Sequence, residues 1–293
     1  MVIFIAGASG YLGSQLAKRL SCNHRVVALL RSTSDRRRIR DLDLEEVHLD
    51  NEEDLLEAFE SKAPQIVINT ITSYGRSGES ESDLVLANIS LPSKLLSMAE
   101  TAGSTAFIHA GTCLPSGLSL YADTKNSFVE LVKSNFDQLD SSISVPARCQ
   151  FINLELEHFY GPGDDPGKFI TKVVRSCLKG ETIPLTDGTQ RRDFIYIDDV
   201  LSAYEILIEK VNDFECYESF SLGSGQAYPV RRVVELIHTL CASKAKLDFG
   251  AIFLRPGEPL CSCADLTKLN SLGWTCDHAL EDGIRITIER ERE

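Results

Sequence analysis

Continuous apolar runs alternate with amphipathic segments through the first half of the chain. The apolar runs predict strands at residues 2–6, 26–30, 47–49, 66–71, 106–109 and 149–156. The segments between them repeat apolar residues at helical spacing and predict helices at residues 14–20, 51–59, 83–102 and 119–133. Strands that are apolar on both faces and alternate with helices are typical of parallel sheets. The pattern therefore predicts an α/β fold with a doubly wound parallel sheet.

The alternation weakens after residue 156. Segments around 164–168 and 187–192 are irregular, and helices are predicted at 169–178 and 230–242. We interpret this half as a smaller C-terminal lobe over the carboxyl ends of the strands, where open α/β sheets bind ligands. The predicted division is a dinucleotide-binding domain at 1–156, with a return segment near 193–210, and a substrate-binding lobe at 157–293.

A glycine-spaced turn joins the first predicted strand to the first predicted helix. It reads Gly7-Ala8-Ser9-Gly10-Tyr11-Leu12-Gly13. Glycines let a ligand approach the backbone closely, and the N–H groups that open a helix attract anions. This context is typical of a site for a dinucleotide pyrophosphate, and a helix-start turn without a ligand is the alternative.

A tyrosine and a lysine lie one helical turn apart in the segment Tyr121-Ala122-Asp123-Thr124-Lys125. On a helix their side chains share a face. An ordinary phenol, with a pKa of about 10, does not exchange a proton readily at neutral pH, and a nearby ammonium lowers that pKa. We therefore expect Tyr121 to act as an acid assisted by Lys125, with an ordinary surface pair as the alternative.

The composition restricts the classes of partner. The chain has 293 residues, of which 43% are hydrophobic and 25% charged, as in ordinary soluble proteins. Its net charge of −13 argues against nucleic acid as the main partner, because binding phosphates requires a basic surface. No apolar run approaches the roughly 20 residues that span a bilayer, and Met1 leads directly into the first strand, so no signal peptide is expected. We expect a cytoplasmic protein with no membrane partner, no metal and no disulfide among its nine scattered cysteines.

The order of these motifs resembles a known family, the extended short-chain dehydrogenases/reductases of the NAD(P)-dependent sugar-nucleotide epimerase/dehydratase type. The resemblance covers nearly the whole chain. Beyond the two motifs above, it rests on these residues: Asn88, Tyr160-Gly161-Pro162-Gly163, Arg192-Asp193-Phe194, Asp198-Asp199, Leu222-Gly223-Ser224-Gly225 and Leu272-Gly273-Trp274. It implies a Rossmann domain that binds a nicotinamide dinucleotide and a smaller lobe that binds a nucleotide sugar.

Within that family, one branch is most similar. The run Leu156-Glu157-His158-Phe159-Tyr160-Gly161 and the short segment before Tyr121 resemble the bacterial CDP-paratose and CDP-abequose synthases, and Tyr74-Gly75-Arg76 is nearest to the paratose enzymes. Those enzymes reduce the 4-keto group of a CDP-3,6-dideoxyhexulose. The resemblance thus implies an NADPH-dependent reductase that makes CDP-paratose for bacterial O-antigen or other glycans. Cytosine as the base rests on resemblance alone.

The family's cofactor contacts fall mostly in the first domain. They are Gly7, Ser9, Gly10, Tyr11, Leu12, Gly13, Arg31, Ser32, Asp50, Thr70, Ile71, Thr72, Asn88, Tyr121 and Lys125. Of these, the resemblance places Thr70, Ile71, Thr72 and Asn88 on the nicotinamide side. Enzymes that use NAD usually carry an acid at the end of the second strand, where this chain has Leu30 followed by Arg31. Arg36-Arg37-Arg38 follow closely, and a guanidinium suits a 2′-phosphate, so NADPH is favoured. A solvated face is the alternative for two of these three arginines, and a helix N-cap is the alternative for Asp50.

The resemblance also assigns catalytic and substrate-binding residues. The catalytic residues are Thr112, which would hydrogen-bond the substrate oxygen, Tyr121, which would donate a proton, and Lys125, which would also hold the ribose. The substrate contacts fall on Thr112, His158, Lys168, Arg192 and Arg255. A guanidinium suits the paired oxygens of a diphosphate. For Lys168 a solvated lysine is the alternative, and for His158 a buried hydrogen-bonded histidine.

Two reaction classes use the same three catalytic residues. A reductase consumes NADPH, whereas a 4-epimerase retains NAD and returns the hydride to the opposite face of the sugar. The missing acid after Leu30 and the short segment between Thr112 and Tyr121 favour the reductase. A binding protein without catalysis is a third possibility, against which the intact catalytic residues argue.

The helices predicted at 83–102 and 119–133 favour a homodimer, as in the family. They carry apolar residues beyond one sheet-facing stripe. These residues are Leu84, Leu91, Leu95, Phe128 and Leu131. The alternative is that all five face the sheet.

Overall fold

The computed structural model describes residues 1–76, 78–138 and 149–292. The backbone packs into two compact units. The first comprises Met1–Glu155 and Tyr204–Phe220, and the second comprises Leu156–Ala203 and the chain from Ser221 onwards. The predicted boundaries, 1–156 with a return near 193–210, concern ligand-binding domains and stay a prediction. In the ranges described, no helix combines the length and the apolar composition that crossing a membrane would require.

Strands and helices alternate along the described chain. The strands are β1 (Val2–Ala6), β2 (Arg25–Leu30), β3 (Glu45–His48), β4 (Ile66–Asn69), β5 (Ala106–Ala110), β6 (Gln150–Leu156), β7 (His158–Tyr160), β8 (Ile183–Leu185), β9 (Arg191–Tyr196), β10 (Tyr217–Leu222), β11 (Ala227–Pro229) and β12 (Leu247–Phe249). The α-helices are α1 (Tyr11–Leu20), α2 (Glu52–Lys62), α3 (Glu81–Val85), α4 (Leu91–Thr101), α5 (Leu120–Asp137), α6 (Phe169–Lys179), α7 (Ile197–Glu209), α8 (Val230–Leu240), α9 (Thr267–Ser271) and α10 (Leu280–Glu291).

A seven-stranded sheet forms the centre of the first unit, and the predicted α/β fold is confirmed. Its strands lie in the order β10-β6-β5-β4-β1-β2-β3. The pairs β1–β2, β1–β4, β2–β3, β4–β5 and β5–β6 are all parallel. The central strands are buried on both faces, which explains why their apolar runs were recognisable in the sequence. The edge strand β10 was not predicted, because its apolar residues alternate with polar ones and form no continuous apolar run.

The helix predicted at 83–102 is interrupted. Between α3 and α4, residues Leu86–Ser90 form one turn of π-helix. Pro92 lies in the first turn of α4 and has no N–H group, so it cannot donate to the carbonyl of Asn88 four residues earlier. A π-turn is one of the ways in which a helix absorbs such a break. The predicted single helix is therefore wrong in this segment.

Helix α5 begins where the sequence predicted and carries the Tyr–Lys motif in its first turns. Ser119 caps the helix, because its side chain accepts a hydrogen bond from the N–H of Ala122. Tyr121 follows two residues later, and Lys125 lies one turn further along the same face. The cap thus fixes the start of the helix that positions both side chains.

The second unit contains two small sheets and several helices. One sheet has the order β11-β9-β7, in which β11 is antiparallel and β7 parallel to β9. The other pairs β12 with β8 in parallel. Helices α6, α8 and α10 pack against one another. The two predicted helices of this region, 169–178 and 230–242, correspond to α6 and α8.

Candidate active site

The glycine turn after β1 is packed too closely to hold larger residues. Gly7 has a φ of 83°, and a Cβ atom built there would lie 2.8 Å from Oγ1 of Thr70. A Cβ at Gly13 would lie 2.2 Å from the carbonyl oxygen of Gly7. Thr70 is itself held in place, because its hydroxyl donates to the carbonyl of Ala6 at 2.9 Å. The turn therefore keeps its backbone close to the sheet and free of side chains.

The N-terminus of α1 is open to an anion. Gly10 precedes the helix and provides no side-chain cap, and the first turn contains no acidic residue. Tyr11 and Leu12 turn their side chains into the protein, while Ser9 is half-buried. The first N–H groups of a helix lack partners within the helix and carry a partial positive charge. Together with the glycine cradle, these features fit the pyrophosphate of a dinucleotide.

The end of β2 carries an arginine and a serine on the surface. Leu30 is buried, whereas Arg31 and Ser32 are exposed. Within residues 1–76, 78–138 and 149–292, the guanidinium of Arg31 makes no ion pair. Asp50 accepts hydrogen bonds from the N–H of Ser32 at 3.0 and 3.1 Å and from its hydroxyl. The Ser32 hydroxyl, as the largest cause, lowers the pKa of Asp50.

Asp50 does not cap α2. The N-cap is Asn51, whose side chain accepts hydrogen bonds from the N–H groups of Glu53 and Asp54. The alternative interpretation of Asp50 as an N-cap is therefore wrong. Asp50 instead closes the loop after β2 and leaves its carboxylate beside Ser32.

The three consecutive arginines after β2 have different surroundings. Arg36 pairs with Glu46 at 2.8 Å, and Arg37 pairs with Asp35 at 3.2 Å. Arg38 lies over the ring of Tyr11, 6.0 Å from its centroid. Arg38 is thus the member of the run that approaches the glycine turn.

Tyr121 lies in the first turn of α5, near the hydroxyl of Thr112. Burial is the largest influence on its phenol and raises its pKa, while the Thr112 hydroxyl acts in the opposite direction. The ring centroid of Tyr121 is 4.8 Å from that of Tyr74. The guanidinium of Arg76 lies over the Tyr74 ring, 4.9 Å from its centroid. The sequence suggested a lowered pKa, because it showed the neighbouring lysine and not the loss of solvent. Among the protein's own groups, burial prevails, and the phenol is held in its protonated form.

Lys125 is buried and bonded to groups of β5. Its side chain is 2% exposed, and its Nζ donates to the carbonyl of Ala110 and lies 3.2 Å from Nε2 of His109. Burial lowers the pKa of Lys125 to about 7. Nδ1 of His109 lies 3.0 Å from Nδ2 of Asn69 on β4. Our sequence reasoning missed His109 and Asn69, although one polar residue within each apolar run was the available signal.

Asn88 holds the segment after β4 against α5. Its Oδ1 accepts from the N–H of Ser73 at 2.9 Å, and its Nδ2 donates to the carbonyl of Ser73 and to the hydroxyl of Thr124. The side chain is fully buried. Nearby, the N–H of Ile71 donates to Oδ1 of Asn69 at 3.2 Å. The predicted nicotinamide-side residues thus belong to one hydrogen-bonded region.

In the second unit, Arg192 is buried and paired. Its Nη2 donates to Oε1 of Glu258 at 2.5 Å, and its Nη1 donates to the carbonyl of Arg191. Glu258 belongs to a turn in which its N–H donates to the carbonyl of Arg255 at 3.1 Å. The side chain of Arg255 is exposed. Arg192 on β9 is therefore paired with a carboxylate of the turn that also carries Arg255, a link that the sequence did not predict.

Lys168 and His158 have partners within the same unit. Lys168 pairs with Asp164 at 3.2 Å and lies over the ring of Phe159 at 3.8 Å. His158 is half-buried, with its Nδ1 3.4 Å from Oε2 of Glu157. The solvated lysine suggested as an alternative for Lys168 does not match these contacts.

Comparisons with known proteins identify the family and the fold of the chain. The NAD dependent epimerase/dehydratase family model matches residues 3–223. The chain is 29% identical over 290 residues to a CDP-abequose synthase of Salmonella muenchen, covering 97% of this chain and 95% of the relative. It is 25% identical over 260 residues to a CDP-abequose synthase of Yersinia pseudotuberculosis, covering 85% and 88%. The solved structure of the UDP-glucuronic acid 4-epimerase of Bacillus cereus has the same fold, with a TM-score of 0.85 at 22% identity over 100% of this chain and 99% of that one.

Proposed function

The chain belongs to the NAD dependent epimerase/dehydratase family, and on that premise we propose that it is an NADPH-dependent reductase of a nucleotide-linked 4-keto-deoxyhexose. The substrate proposed is CDP-4-keto-3,6-dideoxyglucose and the product CDP-paratose. Similarity to CDP-abequose synthases over nearly the full length of both chains supports a CDP-linked sugar. The resemblance of the active-site segments to the paratose enzymes supports the configuration at C4.

The observation that carries the reductase is the state of Tyr121. Burial raises its pKa, while the nearby Thr112 hydroxyl acts in the opposite direction. A protonated phenol beside a second hydroxyl is suited to bind a carbonyl oxygen and to donate a proton to it. A 4-epimerase begins instead by removing a proton from an alcohol, for which a phenolate is required.

The first unit fits the cofactor that the family implies. The glycine cradle and the open N-terminus of α1 would hold the pyrophosphate, and Asp50 and Ser32 would lie toward the adenosine. Arg31 would supply positive charge for a 2′-phosphate, and Arg38 lies over the ring of Tyr11 beside the glycine turn. When bound, the reduced nicotinamide supplies the hydride.

The residues of the chain then account for the remaining steps. Thr112 and Tyr121 bind the C4 carbonyl oxygen and orient the ketone. Tyr121 gives its proton to that oxygen as negative charge develops there, so the ketone becomes an alcohol and the tyrosine becomes a phenolate. Lys125, one turn further along α5, stabilises the phenolate when it carries a proton itself, until a proton is returned to the tyrosine.

Arg192 and Arg255 would hold the diphosphate of the substrate. In the second unit Arg192 is paired with Glu258. A diphosphate would compete with this carboxylate for the guanidinium, because phosphate oxygens and carboxylate oxygens accept hydrogen bonds from the same N–H groups. Glu258 therefore keeps a buried cation compensated when no phosphate is bound to it.

The function is tested by incubating the purified protein with NADPH and 4-keto-deoxyhexoses linked to CDP or dTDP. We expect loss of NADPH absorbance with the CDP sugar and, by NMR, a product with the paratose configuration at C4. Purification with tightly bound NAD(H) and interconversion of C4 epimers without net NADPH consumption would establish the epimerase instead. The opposite C4 configuration would correct the product while leaving the reductase in place.

Cofactor choice is tested by calorimetric titration. NADPH should bind at least tenfold more tightly than NADH, and Arg31→Ala should remove most of that preference, because the guanidinium is proposed to pair with the 2′-phosphate. Arg37→Ala is the matched control, since Arg37 is paired with Asp35. Equal affinities of the unmodified protein for the two cofactors would contradict the assignment.

A further inference from the structure

A buried chain of three polar side chains links strands β4 and β5 to helix α5. Asn69, His109 and Lys125 are exposed by 0%, 0% and 2% respectively. The imidazole lies between aromatic rings, with the centroid of Phe128 at 4.8 Å and that of Phe151 at 6.1 Å. Each ring nitrogen of His109 lies within hydrogen-bonding distance of one polar side-chain atom, so both nitrogens have partners within the protein. In such surroundings the direction of each hydrogen bond has a large energetic effect.

The direction of the first bond is determined by the backbone. Oδ1 of Asn69 accepts the N–H of Ile71 at 3.2 Å, so the NH₂ group of Asn69 faces Nδ1 of His109 at 3.0 Å. An amide NH₂ can only donate, and Nδ1 must therefore be the acceptor. A neutral imidazole that accepts at Nδ1 carries its hydrogen on Nε2.

The direction of the second bond follows. Nε2–H of His109 points at Nζ of Lys125, 3.2 Å away. An ammonium has three donors and no lone pair, so it cannot accept this hydrogen, whereas a neutral amine can. The same amine still donates to the carbonyl of Ala110. The polarity of the chain thus matches an uncharged lysine.

We propose that Asn69 and His109 act as positioning residues that hold Lys125 as a neutral amine in the ligand-free protein, with His109 in its Nε2–H tautomer. The consequence for catalysis rests on the proposed reduction. With Lys125 uncharged in the ligand-free protein, the lysine does not favour a phenolate, and Tyr121 remains a proton donor ready for a ketone. The arrangement therefore biases the active site toward reduction as its first step.

The charges around Lys125 agree with this assignment. Burial lowers its pKa to about 7, and burial, followed by the Lys125 charge, lowers that of His109 well below its usual value. In the described ranges, His109 is the titratable side chain within hydrogen-bonding distance of the Lys125 Nζ. Tyr121 lies one turn before Lys125 on α5. Protonation of Lys125 would require the Nδ1–H tautomer, which demands that Asn69 reverse its amide and give up the N–H of Ile71. The loss of the hydrogen bond from Ile71 therefore destabilises the charged form of Lys125.

The tautomer can be read directly on the unmodified protein. Long-range proton–nitrogen NMR of protein labelled with nitrogen-15 histidine distinguishes Nε2–H, Nδ1–H and imidazolium for each of the six histidines. His109→Phe, which keeps an aromatic ring between Phe128 and Phe151, assigns the resonance. If that variant does not fold, His109 is assigned through its scalar connection to backbone resonances. We expect Nε2–H at a pH one unit above the Lys125 pKa, and Nδ1–H or imidazolium there would overturn the proposal.

A charge substitution tests whether the hydrogen-bonded relay of Asn69 and His109 controls the protonation state of Lys125. Asn69→Asp places a carboxylate against Nδ1, which must then donate, so Nε2 becomes an acceptor and the ammonium is favoured. Asn153→Asp is the matched control, because Asn153 is the buried partner of His109 on the opposite neighbouring strand and bonds Ser219 rather than the imidazole. We expect the Lys125 pKa, followed by NMR of labelled lysine, to rise by about one unit or more in Asn69→Asp and by clearly less in Asn153→Asp. Equal shifts would show a simple charge effect and would overturn the relay.

Turnover separates this inference from the proposed function. In Asn69→Asp, kcat for reduction should decline at a lower pH than in the unmodified protein, since the ammonium lowers the Tyr121 pKa, while KM for NADPH changes little. An unchanged pH profile despite a raised Lys125 pKa would contradict the catalytic role. If no 4-keto sugar is reduced at all, the proposed function fails, and the NMR results still decide the tautomer and the state of Lys125.

Discussion

The protonation states of Tyr121 and Lys125 depend on burial more than on their mutual charge. Burial raises the phenol pKa and lowers the ammonium pKa to about 7, so both groups favour their neutral forms. Pairwise attraction between a phenolate and an ammonium would favour the charged forms. At the residue scale, burial therefore favours a protonated phenol at Tyr121 and brings the pKa of Lys125 down to about 7.

Three substitutions at this site should have different effects. Tyr121→Phe removes the proton donor and keeps the ring, so turnover should fall by about 10²–10⁴-fold with cofactor affinity unchanged. Lys125→Met should reduce both turnover and cofactor affinity, because the lysine is assigned to the phenol and the ribose. Thr112→Val should reduce turnover more than cofactor affinity. Steady-state kinetics and cofactor titration of each variant measure these differences.

A substitution elsewhere on α5 provides the control for these three variants. Ser127→Ala, an exposed position on the same helix, should behave like the unmodified protein. If Tyr121→Phe retained turnover within a few-fold of the unmodified enzyme, the mechanism would be wrong. Another donor would then have to be sought, with His158 as the first candidate.

At the scale of elements, the interruption before α4 places Asn88 at the site. The π-turn Leu86–Ser90 changes the helical register, and its central residue bonds both backbone groups of Ser73 and the hydroxyl of Thr124. The segment that follows β4 is thereby attached to α5, on which Tyr121 and Lys125 lie. One buried amide links the predicted nicotinamide-side segment to the catalytic helix.

Removing that amide should cost more stability than removing an exposed cap. Asn88→Ala leaves the N–H and the carbonyl of Ser73 without partners, at about 1–3 kcal/mol for each buried group. Asn51→Ala removes two hydrogen bonds to backbone N–H groups at the start of α2 and should cost about 1 kcal/mol. Urea unfolding gives both free energies of unfolding. Similar losses for the two variants would show that Asn88 does not hold the segment.

At the scale of the molecule, the predicted homodimer needs a different set of residues. Leu84, Leu95 and Phe128 are buried within the first unit, and Leu91 packs against its core. Leu91, Leu95 and Phe128 therefore pack with the core of the sheet, as the alternative expects, while Leu84 is buried outside that cluster. The apolar residues that remain exposed on α3, the π-turn and α5 are Val85, Leu86, Leu120 and Leu131. Leu131 also lines a shallow groove with Ser93, Leu96 and Phe136 of α4 and α5.

The homodimer stays a prediction and is tested by sedimentation. The unmodified protein should have twice the chain mass of 32.4 kDa at micromolar concentration, and Leu131→Glu should convert it to a monomer by placing a charge in the contact. Leu56→Glu is the control, because Leu56 on α2 is exposed by 46% and Leu131 by 48%. A monomeric unmodified protein, or equal effects of the two substitutions, would contradict pairing through α4 and α5.

The sequence alone determined the features that depend on neighbouring residues. The apolar runs, the helical repeats, the spacing of Gly7, Gly10 and Gly13, and the one-turn spacing of Tyr121 and Lys125 are all local. Each restricts the backbone directly, and the order in which they occur was enough to indicate the fold and the family. The break at Pro92 was also visible as a proline, but a proline does not specify a π-turn.

The tertiary structure decided what depends on contacts between distant segments. Asn69 and His109 meet because β4 and β5 are adjacent in register, and Arg192 meets Glu258 from 66 residues away. Burial, which reverses the expected pKa shift of Tyr121, is a property of the packed site and not of the residues beside it in the chain. Hydrogen-bond direction and loss of solvent arise only when these segments are brought together, and for that reason the sequence identified the catalytic pair but not its resting protonation state.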